Sequence, residues 1–286
     1  EGSSLGMVLA AGSLGAILGA VLAGFVALPF AGSVATFAGC GAAALFCVPF
    51  LRDRGKGGGA EGEKPSLAPL IPIAALVLGS AALGPVCRYE SGLSCIDITR
   101  TGGVISLYSD RTHQAAEPVQ RAEEPEALVI PYTRWIWARM DADLGPAPSV
   151  LFVGGGGYTL PTRLLESRSE AQAIAVEIDP LITEVVRQHL PRAAAMIAET
   201  GYEAGGAGLG AASSGRLGIV HADGRVYLNE TARRYDAAVM DAFSSASVPA
   251  HLVTRETFAR LREIVAGPVY VNLIDAPDGP LARGTH

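Results

Sequence analysis

The chain predicts an α/β protein built on a parallel, doubly wound sheet, and three short runs carry that prediction. Val150-Leu-Phe-Val-Gly-Gly-Gly-Gly157, Ala175-Val-Glu-Ile-Asp-Pro180 and Ala237-Ala-Val-Met-Asp-Ala-Phe243 are apolar segments that end in glycines or a carboxylate. Parallel strands covered on both faces read as continuous apolar runs, and their carboxyl ends carry ligand groups to the open edge of the sheet. A nucleoside-binding domain is the expectation.

The strand ends narrow the ligand. Gly154, Gly155 and Gly156 let the backbone approach a ligand closely, and Glu177, ending the second strand, can accept hydrogen bonds from ribose hydroxyls. A dinucleotide fingerprint needs a further glycine where the helix begins, but Thr159 or Leu160 stands there. The glycines are not followed by the Lys-Ser/Thr pair of a triphosphate loop either. An adenosyl sulfonium, which has no phosphate to cradle, fits what remains.

The elements are justified in order from the amino end. Of the 286 residues, 49% are hydrophobic and only 17% charged, and the apolar excess lies at that end. Residues 5–30, 33–51 and 66–86 are uncharged and long enough to cross a bilayer, although Pro69 and Pro72 make the start of the third irregular. Residues 1–86 therefore predict a multi-pass helical membrane region with the lipid bilayer as partner. Gly15 and Gly19 form a small-xxx-small pair suited to close helix packing. Between the second and third segments, Arg52, Arg54, Lys56 and Lys64 mark a glycine-rich loop as cytoplasmic by the positive-inside rule. A single further crossing would put the rest of the chain outside. The cytosolic origin of an adenosyl sulfonium argues the other way, and a cytoplasmic domain is the expected side.

Residues 87–126 predict a small β region. Cys95-Ile-Asp-Ile-Thr99 and Val104-Ile-Ser-Leu-Tyr108 alternate like strands, joined by a hairpin turn at Arg100-Thr-Gly-Gly103. Residues 117–126 read as an acidic, solvated loop. Cys87 and Cys95 are open to two readings, an extracytoplasmic disulfide or a reduced pair, and Cys40 and Cys47 read as small packing residues. Residues 127–286 predict the α/β domain, opened by a helix over 132–140 that carries Trp135 and Trp137. Strands are expected at 150–153, 173–177, 217–221, 237–240 and 269–274. Helices are expected over 160–167, from Pro180, and from a Thr254 cap to residue 265. Residues 200–215 form a glycine-rich loop. Five strands with two open edges would rely on neighbours, a homo-oligomer among them. The chain begins with Glu1, and both of its ends read as trimmed. The five histidines are scattered, so no metal site is expected. A net charge of −6 makes nucleic acid an unexpected partner.

In order and spacing these motifs resemble the spermidine synthases and their membrane-fused relatives, which share the class I methyltransferase fold. Val-Gly-Gly-Gly-Gly at 153–157 resembles the family's glycine motif and Val-Glu-Ile-Asp at 176–179 its ribose-binding strand end. His221-Ala-Asp-Gly-Arg225 is similar to the adenine-side segment, which implies that Asp223 and Gly224 bind the cofactor. Tyr235-Asp-Ala-Ala-Val-Met-Asp-Ala-Phe243 is similar to the strand bearing the catalytic aspartate, here Asp241. Pro249-Ala-His-Leu-Val-Thr-Arg-Glu-Thr-Phe258 resembles the helix that follows. The resemblance spans roughly residues 87–275. It implies that Tyr132 orients Asp241 or the amine. Two family carboxylates are replaced, by Gly157 and Ser244, so the amine half of the site departs from the pattern more than the sulfonium half.

The resemblance implies an aminopropyl transfer from decarboxylated S-adenosylmethionine to a small amine. A carboxylate must then hold the cationic amine and accept its proton, the part read for Asp241. A methyltransferase using S-adenosylmethionine and a catalytically silent nucleoside-binding module are the alternatives. They separate by donor and by turnover.

Overall fold

A computed structural model describes residues 2–53, 71, 74–75, 79, 86–110, 112–119, 128–204, 215–243 and 248–273. The chain divides into two compact units, Glu1–Cys95 and Ile96–His286.

In the first unit, α1 (Gly2–Leu22) runs through a π-helical turn (Ala23–Ala27) into α2 (Leu28–Asp53). The helix is interrupted at Gly32, whose φ of 76° and ψ of 171° leave the helical region. Such a break frees backbone groups that need new partners. Ser33 N–H donates to Glu90 Oε1 at 2.9 Å, and Thr36 Oγ1 donates back to the Gly32 carbonyl at 2.7 Å. Glu90 belongs to β1 (Tyr89–Glu90). The interruption falls between the first two expected spans. The stretch Leu5–Cys47 is apolar enough to cross a membrane and exposes Leu9, Phe25, Phe30, Phe37 and Phe46. Cys40 and Cys47 are also exposed rather than packed inside the unit. Cys87 and Cys95 are joined as a disulfide, which the spacing alone had left open. Most of the third expected span and the loop's Arg54, Lys56 and Lys64 lie outside the described residues.

The second unit opens with the antiparallel strands β2 (Cys95–Thr101), β3 (Val104–Ser109) and β4 (Thr112–Pro118). Thr101 pairs with Val104, so Gly102 and Gly103 form a two-residue turn. Their φ values of 60° and 77° are what a tight hairpin with right-handed twist requires and most side chains resist. β4 was not anticipated, and it corrects the expected solvated loop at its start. Glu117 is only 2% exposed, and it accepts from the first amides of a later helix, Arg192 N at 2.8 Å and Ala193 N at 3.0 Å. Residues 120–127 of that expected loop lie outside the described residues.

After α3 (Pro131–Asp143) the main sheet begins. Its strands are β5 (Ser149–Val153), β6 (Gln172–Glu177), β7 (Gly201–Glu203), β8 (Leu217–His221), β9 (Ala237–Met240) and β10 (Val269–Val271), in the order β10-β9-β5-β6-β8-β7. All of its pairings are parallel. From β5 the chain moves outward through β6, then returns to β9 on the other side. The sheet therefore switches direction between β5 and β9, where open α/β sheets bind ligands. The middle strands are buried along their length. Leu151, Val153, Ile174, Val176, Val220 and Met240 share one core.

The helices are α4 (Thr159–Ser167), α5 (Pro180–His189), α6 (Pro191–Thr200), α7 (Gly224–Glu230) and α8 (Arg255–Ile264). Pro180 opens a helix as expected. The helix stops at His189, because Pro191 cannot donate to the preceding turn, and a new helix, α6, starts at Pro191. One expectation is corrected here. The expected glycine-rich loop begins with β7, which adds a sixth strand at the edge. A Cβ on Gly201 would lie 2.4 Å from the Ile197 carbonyl oxygen, so glycine permits the sharp passage from α6 to β7. Residues 205–214 of that loop, and everything beyond 273, lie outside the described residues.

Glu117 is the carboxylate that joins β4 to α6. Replacing it with alanine orphans two helix-terminal amides, so Glu117→Ala should lower unfolding free energy by about 1–3 kcal/mol. Urea denaturation of the variant against the parent measures this.

Candidate functional site

The site forms where β5 and β9 diverge. Val153 ends β5, and Gly154 follows with φ of 102°, its N–H donating to the Val176 carbonyl at 2.9 Å. A Cβ on Gly154 would lie 2.2 Å from the Asp241 carbonyl oxygen, so no other residue permits this approach. Gly156 takes φ of 46°, and Tyr158, fully buried, takes φ of 56° at the start of α4. The Tyr158 phenol and Thr183 Oγ1 are 2.7 Å apart, and Thr183 continues to His221 Nε2 at 3.0 Å.

Glu177 holds this loop from below. Its Oε2 accepts from Gly155 N at 3.1 Å and Gly156 N at 2.8 Å, and its Oε1 from Asp179 N at 3.0 Å. Burial pushes the Glu177 carboxyl up from its ordinary range, while these amide bonds pull it back. Both oxygens of the expected ribose acceptor are thus engaged with backbone.

Asp241 follows β9 directly. Its Oδ2 accepts from the Tyr132 hydroxyl at 2.9 Å and its Oδ1 from Asn272 Nδ2 at 2.9 Å. Burial raises the Asp241 carboxyl above the usual aspartate range, against the opposing bonds from Asn272 and Tyr132. Burial, and then the neighbouring Asp241 charge, also push the Tyr132 phenol up. Tyr132, Gly154, Gly155, Gly156 and Asp241 line one open cleft, together with Gln114 and Thr159.

The remaining expected residues stand apart from that cleft. Asp223 and Gly224 follow β8, where Asp223 Oδ1 caps α7 by accepting from Arg225 N at 2.8 Å and Val226 N at 3.1 Å. The other oxygen, Oδ2, lies 3.1 Å from His251 Nε2. Gly224 packs so tightly that a Cβ would lie 2.6 Å from Val153 Cγ1. Among the described residues no cluster of histidine, cysteine and carboxylate side chains could hold a metal.

Two residues at or beside the cleft escaped the sequence reading. Asn272 directly follows β10 and reaches Asp241 from the neighbouring strand. The strand was expected to run to residue 274, which placed Asn272 inside it rather than at its ligand end. Gln114 lies in β4, whose burial pattern lacks the alternation that marks a strand. No signal in the sequence pointed to it.

Glu177→Ala would leave three amides without their acceptor. We expect a loss of about 1–3 kcal/mol in stability and a smaller loss for Glu177→Gln, which keeps one carbonyl oxygen. Chemical denaturation of both variants compares them.

Residues 139–271 match the spermine/spermidine synthase domain. The polyamine aminopropyltransferase of Vibrio vulnificus is 25% identical over 163 residues, 54% of this chain and 48% of that protein. The polyamine aminopropyltransferase of Saccharolobus solfataricus is 30% identical over 122 residues, 42% of this chain and 36% of that protein. The chain thus spans less than half the length of either relative. A probable spermidine synthase from Corynebacterium glutamicum is similar in structure at 18% identity and a TM-score of 0.48, over 64% of this chain and 61% of that one.

Proposed function

We propose that this chain, which belongs to the spermine/spermidine synthase family through residues 139–271, transfers an aminopropyl group from decarboxylated S-adenosylmethionine to an amine. The observation that carries this reading is Asp241, half-buried at the switch point and held by Tyr132 and Asn272. In the reaction, the amine lone pair attacks the donor carbon next to sulfur. The new C–N bond forms as the C–S bond breaks, and its electron pair stays on sulfur, leaving neutral methylthioadenosine. The proton released by the amine passes to the Asp241 carboxylate and on to water. Because the sulfonium is its own leaving group, alignment and removal of that proton are what the protein must supply.

The other roles come from the resemblance: Gly154, Gly155 and Gly156 give the nucleoside close access to backbone, Glu177, whose oxygens here hold the glycine loop, serves the ribose through that loop, and Asp223 with Gly224 serves the adenine. Tyr132 positions Asp241. Among the described residues the cleft is lined by no lysine or arginine. The carboxylate of intact S-adenosylmethionine would meet Asp241 without a counter-charge, which favours the decarboxylated donor over a methyl donor.

Asp241→Asn should abolish methylthioadenosine release while affinity for methylthioadenosine stays within about threefold, since an amide neither accepts the proton nor pairs with an ammonium. Near-native turnover would remove the aspartate from its role. The pH dependence has a definite sign. Asp241 works as the carboxylate, so activity falls as pH drops through its folded-state pKa, which burial has raised. Asn272→Ala removes a bond that favours the charged form and should move the acid limb of kcat/KM to still higher pH. An unmoved limb would sever that limb from Asp241.

We further propose that the first unit anchors the chain in a bilayer. A straight helix over Leu5–Cys47 would run to about 65 Å, twice the hydrocarbon thickness of about 30 Å. The break at Gly32 divides it into two spans. Because a carboxylate is costly in hydrocarbon, Glu90 and the Ser33 amide that it caps belong at a membrane face. The basic residues Arg52, Arg54, Lys56 and Lys64, which follow the second apolar stretch in sequence, then belong at the opposite face, which is cytoplasmic by the positive-inside rule. The Cys87–Cys95 disulfide agrees with this, because disulfides persist outside the reducing cytosol. These observations move our reading from the cytoplasmic side, suggested by the donor's origin, to the extracytoplasmic side. The donor must then be available there. A membrane-impermeant thiol reagent applied to intact cells should label Cys87 and Cys95 only after reduction. Labelling of the pair only after the cells are opened would return the domain to the cytoplasm.

A further inference from the structure

We propose that the acceptor of this site is an amine with one positive charge and a neutral remainder, rather than a diamine or longer polyamine. The inference rests on the aminopropyl-transfer reading and deepens it.

The first observation is the wall of the cleft that β4 builds. A Cβ on Gly157 would lie 2.0 Å from the Ala115 Cβ. No side chain, acidic or otherwise, can project from that point of the glycine loop unless β4 withdraws. Pairing of Leu107 with Ala115 and of Ser106 with Ala116 holds β4 against β3, so withdrawal would disturb the small sheet.

The second observation is charge. Among the described residues lining the cleft, Asp241 is the one carboxylate, and the other polar side chains, Gln114, Tyr132, Thr133 and Thr159, are neutral. Asp241 already accepts bonds on both oxygens. The donor brings an ammonium on its aminopropyl arm, and the acceptor nitrogen must deliver a proton. Among the described residues, one carboxylate therefore serves two nitrogens. A distal ammonium would be a third cation, desolvated without a partner, which protein interiors tolerate poorly. A hydroxyl in its position needs only hydrogen bonds, and Gln114 and Thr159 carry groups able to make them.

Putrescine and aminobutanol make the test, because they have the same carbon chain and differ at one end by ammonium against hydroxyl. The purified full chain is given decarboxylated S-adenosylmethionine with each, and methylthioadenosine release is followed by mass spectrometry. Calorimetry measures the binding of each amine to the complex with methylthioadenosine. We expect kcat/KM and affinity to favour aminobutanol by about a hundredfold or more, the scale on which a buried charge without a partner is penalised. Equal or better use of putrescine overturns the proposal. If neither amine yields methylthioadenosine, the transfer reading fails, and the calorimetric preference alone then upholds or overturns the single-charge site. Binding of neither amine overturns both. The double variant Ala115→Gly with Gly157→Asp opens the wall and adds a carboxylate. It should improve putrescine relative to aminobutanol by about tenfold or more against Ala115→Gly alone, with thermal melting used to establish that both variants are folded.

Discussion

The fold and the site meet in one steric constraint, the approach of Gly154 to the backbone carbonyl of Asp241. A Cβ would lie 2.2 Å from that oxygen, so the two strand ends can sit this close only with glycine at 154. Asp241 N donates to the Val153 carbonyl at 2.9 Å, which carries the β5–β9 pairing to the last residue of β5. From this pinch the glycine loop turns one way and the Asp241 side chain the other. The cleft is the space between them. Widening the pinch would move the Asp241 carboxylate relative to the glycine loop, and displacements of about 1 Å in reacting groups are enough to cost catalysis.

A second regularity concerns the carboxylates. Glu177, Glu117, Asp223, Asp179 and Glu90 each accept from backbone amides at a loop or a helix start. The chain has 28 acidic residues and 22 lysines and arginines, and these structural carboxylates draw on amides that would otherwise be unsatisfied. Such pairing answers two needs together, since it satisfies helix-terminal donors and stabilises the charge. Asp241 differs from the others. Side chains hold it, and they leave its charge facing a cleft.

The main sheet was legible in the sequence because its strands are buried on both faces. Continuous apolar runs ending in Gly154, Glu177 and Asp241 mark the strand and its ligand edge together. β4 was illegible for the opposite reason. Ala115, Ala116 and Glu117 are all buried in succession, because the strand packs against the glycine loop on one side and caps α6 with a carboxylate. A buried glutamate reads as solvated unless its amide partners, 75 residues or more away, are known. β7 escaped for a simpler reason, its three residues being too short to carry a period. The apolar stretches at the amino end are visible from length and charge alone. The contact at the Gly32 break, between Ser33 and Glu90, joins residues 57 apart and has no local signature.

The glycine loop also explains why one half of the cleft was legible and the other was not. Close backbone approach requires glycine, as at Gly154, so it leaves a mark in the sequence. Acceptor recognition depends on which side chains the cleft is lined with, and here that lining comes from β4, α3 and the residue after β9. Gln114, Tyr132 and Asp241 are far apart in sequence and converge only through the small sheet packing over the loop. Gly157 makes the point. In sequence it extends a run of glycines, and in the fold it is where Ala115 seals the wall. The residue that stands where the resembling family has a carboxylate is therefore a steric limit on what can project from the loop at that point.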